Sequence, residues 1–372
     1  MKKILCFESY PNYHSRSILN KIKKRFWIES FCFYDVPKHR KGSEWKDLHF
    51  KTTRIYSIRS RFLNIYRGIK SSDYVLIYGL FHPFPSMLLV LFLSKITKRN
   101  VLIASEGLKN TTGFKYRMIK FMIGCIFSNA NFSFLCIGTN SNSDFYNLGF
   151  KRSKFLKYGF SEEYGSRKRK YTEESKNNSV FNVAVIGSLI ERKGHKFLLS
   201  QMDHLKPNVS VKFNFYGEGE LYKELLELSL NLNNNVSVHF HGHLSKDKLE
   251  LELQSNDFVC VPSKYEGWGV IVNNALAFSL PVLCLDSVRS GKDFLVINDY
   301  NGYCTDEVSF ISRFNELLDR GNLSRLSANS DFLYKKWSVD EIAFHFQKYL
   351  LNEEINSDPL GPLSIYKLSE PI

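Results

Sequence analysis

The sequence predicts an α/β chain made of two doubly wound, Rossmann-like domains facing a cleft, and three observations carry that expectation. The chain has 372 residues, of which 44% are hydrophobic. That is too long for one ordinary core and apolar enough for two, and it excludes disorder as the dominant state. Short apolar runs rich in β-branched and aromatic residues recur along the chain, each followed by a longer stretch with helical spacing. Continuous apolar strands that alternate with helices imply parallel sheets covered on both faces. Between the two series of runs, Ser161–Ser179 is charged and polar, with the aliphatic-poor stretch GSRKRKYTEESKNNS. A linker of that composition marks a domain boundary. The expected domains are therefore residues 1–170 and 171–336, with residues 337–372 as a helix returning to the first domain, Trp337–Leu351, followed by a loosely ordered tail after Asn352.

In the first half the strands are expected at Lys3–Phe7, Tyr74–Tyr78, Val101–Ala104 and Phe134–Ile137. Helical segments follow at Ser17–Arg25, Pro85–Thr97, Phe114–Phe127 and Ser143–Leu148. The second half restarts the alternation with strands at Val180–Ile186, Val211–Tyr216, Val236–Phe240, Phe258–Val261 and Pro281–Leu285. Its helices are expected near Lys196–Met202, Glu220–Leu230, Lys246–Gln254, Gly269–Phe278 and Val308–Arg320. Ligands of such sheets bind beyond the carboxyl ends of the strands, so the loops after strands are where chemistry is expected.

Charge is distributed unevenly. Lysine and arginine number 51 against 37 acidic residues, a net +14. Residues 1–170 hold 32 basic and 10 acidic residues, net +22, which leaves net −8 for the remainder. A basic first half suits nucleic acid, an anionic membrane surface or a phosphorylated ligand, whereas the acidic second half argues against a protein that coats a polyanion throughout. No stacking-aromatic signature or DNA-binding motif supports nucleic acid as the partner. The seven cysteines lie far apart without a Cys-x-x-Cys pair, which fits buried thiols in a reducing, cytoplasmic compartment. The opening MKKILCFE reads as a first strand, since its apolar run stops at Glu8, too early for a signal peptide. The longest apolar stretch, Met87 to Leu93, is about a third of the ~20 residues that span a bilayer. Membrane contact is thus expected to be peripheral.

Three loops carry candidate chemistry. Gly187-Ser188-Leu189-Ile190-Glu191-Arg192-Lys193-Gly194 runs from a strand into a helix. Glycine lets backbone approach a ligand, and a lysine ahead of a helix N-terminus adds to the positive end of its dipole, an arrangement suited to phosphate. Taken alone, the octapeptide fits a tight surface turn with a solvated lysine at least as well. It is neither a Walker loop nor a dinucleotide fingerprint. Tyr216-Gly217-Glu218-Gly219-Glu220 is a second strand-to-helix turn, whose glutamates are best explained by the turn and by the helix start. The third and richest is Val261-Pro262-Ser263-Lys264-Tyr265-Glu266-Gly267-Trp268-Gly269-Val270, continuing through Asn273 and Asn274 to Pro281. An acid beside glycines at a helix start can accept hydrogen bonds from ligand hydroxyls, with the two asparagines about two turns further on.

In their order and spacing, GSLIERKG, FYGEGE, VSVHFHGHLSKDKL and VPSKYEGWGVIVNNALAFSLPV resemble the nucleotide-sugar domain of retaining glycosyltransferases of family 4, the glycosyl transferases group 1, which have the GT-B architecture. The resemblance covers Phe181 to Asp306. LIYGLFHPFP, VLIASEG and Asn142–Gly149 are similar, more weakly, to the acceptor domain of the subgroup that builds bacterial surface polysaccharides. The resemblance implies that Lys193 contacts the donor's pyrophosphate and that Glu266 touches the donor sugar as the first acid of a Glu-x7-Glu motif. It further implies that Gly267, Trp268 and Gly269 hold the leaving phosphate, and that His243 and Leu244, after Gly242, line the base site. Two positions depart from the family pattern: the second acid is Asn274, and the arginine that accompanies the lysine is replaced by Ser188, with Arg192 nearby. A carboxylate–hydroxyl bond is charge-assisted and roughly twice as strong as one from an amide. The glycine-rich loop after the first strand is also absent, since FESYPNYH contains no glycine.

The chemistry implied is transfer of a sugar from a nucleotide diphosphate sugar to a hydroxyl of a lipid-linked or surface-polysaccharide acceptor. It requires stabilisation of the departing diphosphate and an acceptor held on the same face of the sugar. Lys193 and the helix start at Gly269 would supply the positive charge, with Gly187, Ser188, Arg192 and Gly217 around the donor. No metal is then needed, and no Asp-x-Asp pair occurs in the sequence. No cofactor is expected beyond the donor, a UDP-sugar being favoured over a GDP-sugar. Glu106, after a buried strand and facing the expected cleft, is the candidate polar group from the first domain; His82 fits a packed or capping histidine better. Basic clusters at Lys21, Lys23, Lys24, Arg25, then Arg54, Arg59, Arg61, Arg67, then Lys151, Arg152, Lys154, Lys157 are candidates for contact with an anionic leaflet, at about 1 kcal/mol per charge near the surface. They equally fit a solvated basic face. The alternative to an enzyme is a degenerate, non-catalytic homologue acting as a binding or scaffold subunit, motivated by Ser188 and Asn274.

Overall fold

The computed structural model describes residues 1–10, 13–34, 52–54, 58–81, 84–108, 114–128, 131–164 and 179–368. The chain divides into two compact units, Met1–Ser161 with Ser338–Ile372, and Glu162–Trp337. The charged stretch read as a linker lies mostly outside the described residues.

The first unit is built on a seven-stranded sheet: β1 (Lys2–Glu8), β2 (Phe26–Cys32), β3 (Thr52–Arg54), β4 (Tyr74–Tyr78), β5 (Asn100–Glu106), β6 (Phe132–Ile137) and β7 (Lys154–Tyr158). Their order is β3-β2-β1-β4-β5-β6-β7, with every neighbouring pair parallel. Helices α1 (Tyr13–Ile22), α2 (Ile58–Ser71), α3 (Phe84–Ile96), α4 (Phe114–Phe127) and α5 (Ser141–Asn147) lie between the strands in sequence. All five residues of β4 are buried, as expected of a strand covered on both faces. Phe134, Phe145, Phe150 and Phe155 interlock beneath β6, with ring centroids 4.5 to 5.5 Å from that of Phe134.

Three strands of this sheet fall outside the sequence expectation. Polar residues interrupt them: Glu29 and Ser30 in β2, the threonines of β3, and lysines 154 and 157 in β7. Helix α2 was likewise masked by its arginines. Lys157, expected to be a surface charge, is buried, with its ammonium 5.4 Å from the Tyr366 ring centroid.

The second unit repeats the plan with β8 (Val180–Ile186), β9 (Ser210–Tyr216), β10 (Val236–Phe240), β11 (Phe258–Val261), β12 (Val282–Leu285) and β13 (Gly302–Thr305). The sheet order is β10-β9-β8-β11-β12-β13, again all parallel. Its helices are α6 (His195–Ser200), α7 (Tyr222–Leu230), α8 (Lys246–Leu253), α9 (Val270–Ala277), α10 (Phe310–Leu317) and α11 (Arg320–Lys336). Phe213, Phe215, Phe258 and Phe314 form the aromatic centre of its core. The helix expected over Val308–Arg320 ends at Leu317 because Asp319 caps a new one, accepting from the Asn322 backbone N–H at 2.7 Å.

The chain then returns to the first unit through α12 (Val339–Asn352). Ser338 caps this helix from the Glu341 N–H, the Ser-x-x-Glu arrangement of a capping box. Trp337, expected at the start of the returning helix, instead ends α11 and packs against Trp268 and Phe294 of the second unit. The residues after Asn352 are not a loose tail as far as the structure describes them. They pair with the free edge of β7: Leu363 donates to the Lys157 carbonyl at 2.7 Å, the Lys157 N–H to Ser364 at 2.9 Å, and the Tyr366 N–H to Phe155 at 2.9 Å. An unpaired strand edge offers those backbone groups, and burial of Leu363 and Tyr366 adds apolar contact.

Candidate active site

In the second sheet the strand order reverses between β8 and β11, and the loops after those two strands are where an open α/β sheet takes its ligand. They are the GSLIERKG and PSKYEGWG segments. Gly194 brings them together: its φ is 71°, and a Cβ there would lie 1.9 Å from the Pro262 carbonyl oxygen. Only glycine permits both the left-handed backbone and that approach. Across the junction the Lys264 N–H donates to the Arg192 carbonyl at 2.9 Å. The loop after β9 braces the first of the two, with the Leu189 N–H donating to Glu218 at 2.9 Å. Gly217 sits so close that a Cβ would be 2.0 Å from the Gly187 oxygen. The FYGEGE motif is therefore a brace for the Lys193 loop, and helix α7 begins at Tyr222, two residues after Glu220.

The two loops converge on one carboxylate. Lys193 Nζ lies 2.5 Å from Glu266 Oε1, and Arg192 Nη1 lies 3.1 Å from the same oxygen. Arg192 also donates to the Tyr265 carbonyl at 2.5 Å, which fixes its guanidinium against the second loop. Burial pushes the Glu266 carboxyl up, but Lys193, assisted by Arg192 and a hydrogen bond from Ser263, outweighs burial and holds it below the usual carboxylate range. Two cations around one anion leave an excess of positive charge. The start of α9, capped by Gly269 with no side-chain hydrogen bond, adds the positive end of a helix dipole. Further out, Glu191 pairs with Lys264 at 3.0 Å and with Lys196 at 3.1 Å, so those lysines are neutralised locally. A doubly anionic group such as a diphosphate fits the charge left over.

The segment after β12 supports the carboxylate from behind. Glu266 donates its N–H to Ser287 at 3.2 Å and accepts from Arg289 at 3.3 Å, and Trp268 accepts from Ser290 at 3.0 Å. Trp268 turns its indole inward: it is buried against Phe294 and Trp337, and its Nε1–H donates to Asn273 at 2.8 Å. Its side chain thus anchors the loop, while Gly267 and Gly269 on either side remain partly exposed. His195, next to Gly194, is buried against Phe215, and burial together with Lys193 pulls its imidazole down to about 4, so it is neutral near pH 7.

The remaining expected residues are placed differently. Ser188 is exposed beside Gly187. The Asn274 side-chain oxygen accepts a hydrogen bond from the Tyr164 hydroxyl, so it is held by a residue just inside the unit boundary. His243 and Leu244 follow β10, the edge strand, and Glu218 receives the His243 N–H at 3.3 Å. No hydrogen bond or ion pair among the described residues joins them to the Lys193–Glu266 pair. Glu106 belongs to the first unit, exposed at the carboxyl end of β5, and is not among the residues the second unit brings together. His82 lies outside the described residues. Among the described residues, no three His, Cys, Asp or Glu side chains converge as a metal site requires.

Sequence reasoning missed Tyr164, the Ser287–Ser290 backing, and a buried ion pair in the first unit. In that pair Arg16 Nη2 lies 3.0 Å from Glu8 Oε2 and Nη1 2.9 Å from Ser30 Oγ. Nothing local marks these residues, because each partner is distant in sequence or sits in an element read only as a strand or helix.

The fold is the GT-B architecture of glycosyltransferases, seen in structures that match nearly the whole chain. Residues 166–330, which include both loops, match the family model described as glycosyl transferases group 1. Similar solved structures include Anabaena Alr3699/HepE in complex with UDP, 17% identical with a TM-score of 0.67, the match covering 94% of this chain and 99% of that one. A glycosyltransferase from Rickettsia africae ESF-5 is 13% identical with a TM-score of 0.65, covering 95% and 100%. The lipopolysaccharide outer core galactosyltransferase WaaB, in its apo form, is 16% identical with a TM-score of 0.62, covering 93% and 99%. No curated protein matches the chain in sequence at a significant level.

Proposed function

We propose that the protein is a metal-independent, retaining glycosyltransferase that moves a hexosyl group from a nucleotide diphosphate sugar, a UDP-sugar ahead of a GDP-sugar, to a hydroxyl of a lipid-linked or surface-polysaccharide acceptor. It would work in the cytoplasm, at the inner face of the membrane where such acceptors are anchored. The observation that carries this reading is the convergence of Lys193 and Arg192 on Glu266 beside the start of α9. HepE, of similar fold, was solved with UDP and glucose, which supports a UDP-sugar as the donor.

In the reaction the bond from the anomeric carbon to the diphosphate oxygen breaks, the acceptor oxygen bonds that carbon on the same face, and the hydroxyl proton leaves with the nucleoside diphosphate. Lys193 and the α9 N–H groups stabilise charge on the departing phosphate, where electrostatic stabilisation matters most. Glu266, kept ionised by its cations, accepts hydrogen bonds from donor-sugar hydroxyls and fixes the sugar's orientation.

Ligand-observed NMR with UDP-, GDP- and ADP-sugars tests donor binding; absence of binding to every member sinks the reading. Slow donor hydrolysis or acceptor-dependent nucleotide release is expected from the wild type, with Glu266→Ala and Lys193→Ala each lowering it by about 10²-fold or more. A second reading, a non-catalytic homologue, draws on the hydrogen bond that ties Asn274 to Tyr164. Donor binding without any turnover in the wild type would favour it.

A further inference from the structure

Helix α4 carries two apolar faces, and only one of them is used by the fold. Ile123 and Phe127 are buried, and at Gly124 a Cβ would meet the Leu148 carbonyl oxygen at 1.7 Å, so the inner face lies flush on the turn that ends α5. The outer face presents Tyr116, Met118, Ile119, Met122 and Ile126, each 45 to 59% exposed. On α3, which packs beside it, Phe92 and Ile96 are exposed as well. A contiguous apolar patch of this kind on a water-soluble surface marks an interaction site.

The charge around the patch selects the partner. From Tyr74 to Ser143 the only acidic residue is Glu106, against seven lysines and arginines. Arg117 is exposed on α4 itself. Lys95 of α3 reaches the Ile126 carbonyl, and its ammonium lies 5.7 Å from the Phe127 ring centroid. Beyond the helix, Arg152 donates its N–H to Ser128 at 2.8 Å, so exposed Lys151 and Arg152 stand at the helix end. A second copy of the chain laid on this face would oppose cations to cations. An anionic lipid surface pairs them with headgroups while the apolar side chains enter the acyl boundary.

We infer that α4 is an in-plane membrane anchor, inserting Met118, Ile119, Met122 and Ile126 into an anionic leaflet. At fourteen residues it is too short to span a bilayer, and no helix among the described residues is long and apolar enough to do so. The inference rests on the proposed lipid-linked acceptor for its purpose, and it adds an apolar helix face to the expected basic docking surface, of which Lys151 and Arg152 stay exposed. Of the basic residues read as leaflet contacts, Lys21 pairs with Asp340 at 2.9 Å, Lys154 with Glu353 at 3.6 Å, and Lys157 is buried. Docking is then hydrophobic as well as electrostatic.

The test is co-sedimentation of the full chain with vesicles of phosphatidylcholine, with and without 30% phosphatidylglycerol, at two salt concentrations. The wild type should sediment with the anionic vesicles and keep part of that binding at high salt. The Ile119→Glu/Met122→Glu variant should lose at least tenfold in partitioning, while Lys21→Ala/Lys23→Ala changes it less than twofold. A Met122→Trp variant should blue-shift its fluorescence only when anionic vesicles are added. Equal partitioning of wild type and the double-glutamate variant, or no spectral shift, overturns the inference. So does a wild-type dimer that the glutamates convert to monomer while vesicle binding is unchanged. Donor binding by NMR, followed in the same samples, separates the two readings: vesicle binding without donor binding sinks the transferase and leaves the anchor standing.

Discussion

The two units share one sheet plan, yet they treat its switch point in opposite ways. In the second, β8 and β11 end in glycine-bearing loops that expose Arg192, leave Lys193 partly accessible and bury Glu266 beside them. In the first, β1 ends in Glu8, which is locked to Arg16 and through it to Ser30, with both ionic side chains almost wholly buried. The same topology can therefore keep the carboxyl ends of its strands ready for a ligand or close them with an internal ion pair. What decides is the loop. Glycine at 187 and 194 lets chains approach and leaves charge at the surface, whereas the glycine-free loop after β1 leads into a helix whose arginine folds back over the strand.

The sharpest way to break this comparison is Arg16→Met. It strands the Glu8 carboxylate in a dry site and should cost the first unit about 3–5 kcal/mol in urea denaturation. A loss below about 1 kcal/mol would mean that the pair is not what closes that end. His195→Phe probes the other unit. The wild-type imidazole titrates near 4 when folded and near 6.5 when unfolded, so the unfolded state binds the extra proton below 6.5. Stability should fall as pH drops from 6.5 towards 4, by about 3 kcal/mol in all, and the phenylalanine variant should lose that slope in melts across the range.

The coupling between Lys193 and Glu266 should be smaller, about 2 kcal/mol in a double-mutant cycle of Lys193→Met and Glu266→Gln near pH 7. Because the Glu266 value is depressed, its contribution is complete above the ordinary glutamate value of 4.5 and disappears as pH falls through the lower folded value. A cycle energy that stayed constant into strong acid would refute the ion pair. Arg192→Ala should matter least. Its side chain is 44% exposed, so its loss should change stability by under about 1 kcal/mol and donor affinity by a few-fold, read by titration calorimetry.

Much of this was legible in the residues themselves. Phe114–Phe127, Val180–Ile186, Val236–Phe240 and Phe258–Val261 are found where their apolar patterns put them, because elements with a continuous buried face need no distant partner to be recognised. Strands β2 and β7 escaped because their polar residues are satisfied by partners remote in sequence, Arg16 for Ser30 and the Tyr366 ring for Lys157. At the site, the candidacy of Lys193 and Glu266 could be read, but not their bond across a separation of 73 positions. Trp268 could be named from its motif, yet its inward packing depends on Phe294 and Trp337, which no local pattern links to it. Asn274 is similar: only the folded chain brings Tyr164 to it.

The returning α12 has a consequence for how the molecule is made. The first unit needs residues from both ends of the chain: α12 packs on α1, Lys2 donates to the Leu350 carbonyl at 2.9 Å, and Leu363 to Tyr366 cover β7. During synthesis, residues 162–337 emerge complete while α1 and β7 still lack those partners. The second unit can thus mature before the first, reversing the usual amino-to-carboxyl order. Until residues 338–368 leave the ribosome, the edge of β7 stays open to wrong pairing.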